Sequence, residues 1–267
     1  MEGDRPGGSD FGRDNVRDLG DEPPASFRDH APDVLAPIDA SAPVSGHTPP
    51  HEAHASMAES PEHDWAAAEP IIFPLLRPTG TQGMAITTVD AVALAADSVR
   101  SHSQPLVDEG PCELSVVYAI PGSGFDVIVN ADHLLSWGVS VAEIQDAALR
   151  NLTAWSATAP WTDEVSGERR LISSDTGDGW DASRVLLTEV RERLAAELGG
   201  VGRVLIGLPE RHLMIAGALR PGDDEFASLF AEFVLEHSGG ADEPVDRRVF
   251  ELVRGQLREF SGLPTPA

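Results

Sequence analysis

At Trp65 the chain changes character, and the change separates what can fold from what cannot. Residues 1–64 carry 14 acidic residues against 4 arginines, with the proline-rich stretches DEPPAS, ASAPVS and HTPPHE and almost no periodic apolar residues. Such a segment buries too little apolar surface to offset the entropy of ordering, so it reads as a disordered acidic tail. Four of its histidines, His47, His51, His54 and His63, fall close together but have neither a scaffold nor a cysteine partner for a metal site. From Trp65 onward, EPIIFPLLRP brings the first dense apolar run. About 200 residues remain, enough for one substantial core or two small ones, and no internal repeat divides them.

Within residues 65–267 the patterns predict one α+β domain of antiparallel hairpins packed with amphipathic helices. Ile71–Arg77 reads as a short strand that Pro74 pushes toward a sheet edge or a bulge. DAVALAADSVR (90–100) suits a helix. Strands near 113–120 and 125–129 flank PGSG, where Gly122 and Gly124 are expected to supply positive φ angles. Ser140 and Glu143 form a capping box ahead of a helix over 141–154, with Val139 and Ile144 as its staple and Ile144, Ala148, Leu149 and Leu152 on its core face. A Trp- and Gly-containing loop (155–167) precedes the strand RRLISS. A helix over 182–198 stops at Gly199-Gly200, two β-runs flank Pro209-Glu210-Arg211, and Phe226, Leu229, Phe230, Phe233 and Val234 mark another helix ended by Gly239-Gly240. The closing RRVFELVRGQLREF reads as a hairpin turning at Arg254-Gly255. Regular βαβ repeats are missing, which excludes a doubly wound sheet.

Charge and composition narrow the partners. The formal net charge is -25, and all 19 basic residues are arginine, a lysine-free usage that reads as the bias of a GC-rich genome. A chain this acidic repels phosphate backbones, which argues against nucleic acid and anionic membrane. MEGDRPGGSD has no basic or apolar signal region, no stretch of 18 apolar residues occurs, and Cys112 is the single cysteine. The expectation is a soluble cytoplasmic protein without internal disulfides.

The stretch GDGWDASRVLL (177–187) concentrates the candidate chemistry. Asp175, Asp178 and Asp181 recur every third residue, but an EF-hand counted from Asp175 would place Gly177, Gly179 and Leu186 at ligand positions, so calcium is excluded. Asp181 instead stands where it would cap a helix starting at 182, which makes Asp181→Asn a mild change. Arg184 would pair with Asp178 or Asp181, or receive an anion. GGVGRVLIG follows a helix and opens a strand, the reverse of a dinucleotide loop. Ser183, His212 and Asp181 contain the residue types of a hydrolytic triad, as any chain of this length does. Glu210, Arg211 and His212 read as a solvated strand turn, and Trp137, Trp155 and Trp161 as core packing. No Walker loop, GxSxG elbow, HExxH or paired-Cys zinc site occurs, so neither metal nor cofactor is expected.

Five segments in order, IIFPLLR, VVYAI with FDVIVNADHLLSWGVSVAEIQDAALRNL, DGWDASRVLL, VLIGLPERHLMI and PVDRRVFELVRGQLREF, resemble the YtpQ-like family of uncharacterised bacterial proteins. They span most of residues 70–260, the DG-aromatic-DASR block and the AxxNL helix end being the most specific. The acidic tail and the 78–112 connection depart from the family pattern, and LPERH replaces a Pro-His turn. The resemblance implies an α+β fold and a cytoplasmic location, and no activity. Two function classes follow: a non-enzymatic interaction or adaptor module with a protein partner, or a hydrolase-like or ligand-binding enzyme with a polar pocket. The binding candidates for either are Asn151, Asp178, Trp180, Asp181, Arg184 and His212.

Overall fold

In the computed structural model, the described residues are 60–96, 103–122 and 124–262. The expected disordered tail up to residue 59, the end of the 90–100 helix and Ser123 of the PGSG turn lie outside them. Residues 60–64 already belong to the packed structure: Asp64 caps α1 (Trp65–Ala68), and Trp137 donates to the Pro61 carbonyl at 2.9 Å.

The first sheet is built from β1 (Phe73–Arg77), β2 (Met84–Ala85), β3 (Leu106–Glu109), β4 (Ser115–Ile120) and β5 (Val127–Ile128), with α2 (Ala91–Ala96) between β2 and β3. Its order is β1-β4-β3-β2, with β5 also on β4; only β2–β3 is parallel. Pro74 sits on an edge strand, as its missing N–H requires. Gly122 and Gly124 do not take the positive φ expected of them. Gly122 is needed for close approach instead, since a Cβ there would stand 2.3 Å from the Phe125 carbonyl oxygen. Two non-glycine residues of the β3–β4 turn are left-handed instead: Cys112 and Glu113 have φ of 54° and 65°, and Leu114 N–H closes onto Pro111.

Two capped helices follow. In α3 (Ala131–Trp137), absent from the sequence reading, Asn130 Oδ1 accepts from His133 N–H while His133 Nδ1 accepts from Asn130 N–H, both at 3.1 Å. The box at Ser140 and Glu143 is present and opens α4 (Val141–Thr158), which runs a turn beyond its expected end. Ile144, Ala148 and Leu152 are buried, but Leu149 is 42% exposed, because it lies about 100° round the helix from Ala148, beyond the packed face.

The second sheet, in order β11-β10-β8-β9-β7-β6, is antiparallel throughout. Its strands are β6 (Thr162–Ser166), β7 (Arg169–Ser174), β8 (Arg203–Glu210), β9 (Leu213–Leu219), β10 (Val249–Val253) and β11 (Gln256–Glu259). β6 occupies what read as loop. α5 (Thr188–Leu198) precedes β8, and α6 (Asp224–Gly240) follows β9. The period of two divides β8 and β9 between two cores. Val204, Ile206, Leu208, Met214, Ala216 and Ala218 join the main core with β1, β4, α4 and α5, while Leu205, Leu213, Ile215 and Leu219 join Phe226, Phe230 and Val234 of α6. Gly207 and Gly217 make room for that helix: a Cβ would stand 2.5 Å from Val234 and 2.9 Å from the Phe226 ring, respectively. The architecture is α+β, as the patterns predict.

Candidate functional site

Residues 175–187 do not start a helix in the expected way. Ala182–Leu186 forms a short 3-10 turn, Leu187 is extended (φ -79°, ψ 125°), and α5 begins only at Thr188. Asp181 therefore is not a helix cap. Its backbone is helical, its side chain makes no capping bond, and it is fully buried. Its carboxylate accepts from Ser174 Oγ, from Thr176 N–H at 3.2 Å and from Thr176 Oγ1 at 2.9 Å. Isosteric replacement by Asn brings donors to meet donors, so the mild effect expected of a cap does not follow.

Arg184, also with no exposed surface, completes the arrangement. It donates to Ser174 Oγ at 2.7 Å, making that hydroxyl a relay to Asp181, and to the carbonyls of Ser156, Ala159 and Pro160 at 2.9, 2.8 and 3.2 Å. These carbonyls close the C-terminal end of α4, where a cation complements the helix dipole. The guanidinium lies 4.8 Å from the Trp155 ring centre and 4.1 Å from that of Trp161. Burial pushes it down to about 10 against the pull of Asp181, and it stays cationic at neutral pH. Neither a direct pair with Asp178 nor a free anion site forms: Asp178 accepts from Trp155 Nε1 at 2.9 Å.

Neighbouring groups of the block are also turned inward. Trp180 stacks on Phe73, with ring centres 4.6 Å apart, and Arg211 lies 5.4 Å from its ring centre. Ser183 Oγ accepts the Leu76 N–H on the open edge of β1, and Ala182 N–H bonds to the Arg211 carbonyl. Gly179, at φ +85°, has no space for a side chain, because a Cβ would stand 2.4 Å from Arg211. Asn151 donates to the carbonyls of Glu69 and Ile72 at 2.7 and 2.8 Å, tying α4 to the start of β1.

The Glu210–His212 turn is not uniformly solvated. Arg211 is buried and pairs with Asp126 at 2.6 Å and Glu243 at 2.7 Å, 85 and 32 residues away. Burial works against its charge, but these carboxylates hold its pKa above the usual arginine value. Burial likewise opposes ionisation of Glu243, yet Arg211 and then Arg77 keep its carboxyl below the usual glutamate range. Beside this pair is a cleft of about 570 Å³ lined by Glu210, His212, Glu236, His237, Asp242 and Glu243, with Gly240 and Ala241. Of the candidates named from sequence, only His212 lines it. Asp181 and Arg184 meet in one buried network, Trp180 and Asp178 flank it, and Asn151 serves a separate junction.

Arg211, Trp155, Ser174 and the cleft carboxylates had no local signal, since what marks them is the company supplied by distant segments. Among the described residues no group of three His, Cys, Asp or Glu is placed to hold a metal ion, and no helix is long and apolar enough to cross a membrane. No family model, no curated protein and no solved structure matches this chain.

Proposed function

We propose that this protein is a non-enzymatic interaction module that acts in the cytoplasm by binding another protein. One observation carries the reading: of the candidate polar residues, Asp181, Arg184, Ser183 and Asn151 are engaged by the protein itself, and only His212 lines a cleft. Asp181, Arg184 and Ser183 are fully buried and hydrogen-bonded to other residues of the domain, and Asn151 holds backbone carbonyls. A substrate reaching them would first have to break the junction between β1, β7 and α4. The net charge of -25 sets nucleic acid and membrane insertion outside the proposed partners. Kinship with the YtpQ-like family belongs to the same proposal, since a clasp that joins two sheets gives the DG-aromatic-DASR block a structural reason to exist.

The test is affinity capture from the native lysate by the full chain, followed by size-exclusion of the eluate. A protein recovered in stoichiometric amount and co-eluting with the chain is the expected result. Covalent labelling of Ser183 by a hydrolase-directed probe, or turnover abolished by Arg184→Lys in a protein that remains folded, overturns the reading in favour of an enzyme.

A further inference from the structure

The outer side of α6 carries apolar residues that the domain does not cover. Phe226, Phe230 and Val234 seat the helix on the second sheet, while Leu229, Phe233 and Leu235 are 49%, 38% and 55% exposed. Leu229 and Phe233 lie one turn apart, and His237, one turn further, stacks on Phe233 with ring centres 3.8 Å apart. Since His237 and Glu236 line the 570 Å³ cleft, the apolar stripe runs directly into it.

Charge decides what this face can accept. Around the rest of the second sheet several carboxylates have arginines, Asp163 with Arg170, Glu225 with Arg169, Glu197 with Arg193, Glu168 with Arg220 and Glu251 with Arg203, while Glu164 and Glu192 stand exposed and singly without one among the described residues. At the cleft only Glu243 is so matched, by Arg77 and Arg211. Among the described residues, the side chains of Glu210, Glu236 and Asp242 make no ion pair or hydrogen bond, and the buried Nδ1 of His212 has no partner. A second copy of this chain would bring the same carboxylates against them, so self-association through this face is repelled.

We propose that α6 and its cleft dock a cationic amphipathic segment of a partner protein, with apolar side chains on Leu229 and Phe233 and an arginine or lysine held by Glu210, Glu236 and Asp242. This names the partner chemistry of the interaction module and rests on that reading. Helix-in-groove recognition supplies the apolar contact, and the unpaired carboxylates select the sign of the flanking charges.

The probe is a fluorescein-labelled synthetic peptide of about 16 residues with leucines at helical spacing and flanking arginines, compared with the same peptide carrying glutamates, both measured by anisotropy against the full chain at about 0.15 M salt. The arginine peptide should bind and the glutamate peptide should not. Phe233→Ser with Leu229→Ser should weaken binding about tenfold, and Glu236→Gln with Asp242→Asn about threefold or more, the latter shrinking as salt rises. Glu164→Gln with Glu192→Gln removes the same charge from exposed positions on β6 and α5 and should leave affinity unchanged. Equal losses in this control, equal binding of both peptides, or full affinity in the α6 variants overturns the proposal. If α6 binding fails while the full chain still recovers a stoichiometric partner from lysate, only the docking face is wrong. If both fail, the interaction reading falls too.

Discussion

At Asp181 a carboxylate without solvent exposure accepts from Ser174 and Thr176. At Asp242 an exposed carboxylate beside the α6 cleft has no partner among the described residues. Both regions hold acidic side chains and differ in where the chain places them. A buried charge must find its counter-charge and hydrogen bonds inside the protein, or it costs several kcal/mol. An exposed one is satisfied by water and stays available to a partner. The clasp around GDGWDASR is therefore a source of stability, and the cleft the proposed place for recognition. Mutation should separate them: clasp variants change stability, and cleft variants change binding alone.

The largest effect is expected at Arg184. Arg184→Ala removes the donors that close α4 and leaves Asp181 as a buried charge without a cation, which should lower stability by about 3–5 kcal/mol in denaturant unfolding. A loss below about 1 kcal/mol would mean that the clasp is dispensable. Next comes Asp181→Asn, which sets an amide against the donors of Ser174 and Thr176 and should cost about 1–3 kcal/mol. A change within about 0.5 kcal/mol would restore the helix-cap interpretation.

Ser140→Ala offers the contrast of a polar contact made with near neighbours on the surface. The loss of the bond from Glu143 N–H should lower stability by about 1 kcal/mol, read as a lower denaturant midpoint. Glu236→Gln in the cleft should leave stability within about 0.5 kcal/mol of the parent, because no internal contact is lost. A large destabilisation there would erase the distinction between clasp and cleft.

The smallest expected effect is a pH dependence. Burial holds His133 below the ordinary histidine value, against the raising influence of Glu62 and Asp132 and with His63 adding to the depression. The folded chain thus binds fewer protons at this site than the unfolded chain. The corresponding stability is complete above the unfolded histidine pKa of about 6.5 and falls as pH drops through the window below it. In His133→Gln the side-chain oxygen can still accept from Asn130 N–H and cannot be protonated there. Unfolding measured from pH 7.5 to 5 should therefore show a shallower acid-side slope in the variant, by about the share of a single group; identical slopes would exclude the His133 contribution.

Much of the fold was legible because its signals are short-ranged. The Ser140–Glu143 box lies within one helical turn, the continuous apolar runs Val204 to Leu208 and Leu213 to Leu219 mark buried strands by themselves, and Arg254-Gly255 marks a turn with both residues at positive φ, 54° and 76°. Even there, pattern could not say which apolar residue is covered: Leu149, Leu229 and Phe233 belong to amphipathic helices, yet stay exposed because no second layer among the described residues packs over them.

The candidate site was much less legible. GDGWDASR has the composition of a helix start, and sequence alone could not show that Arg184 would reach carbonyls 24 to 28 residues away or Ser183 an amide 107 residues away. Those partners pull residues 182–186 into a tight turn and delay α5 until Thr188. By itself, then, the sequence determined the α+β class, most strands and the capped helix, because backbone preference and apolar period act between neighbours. Only tertiary structure decided which charges were buried and paired and which were left open at the surface, because burial and ion pairing depend on segments that meet after the chain has folded.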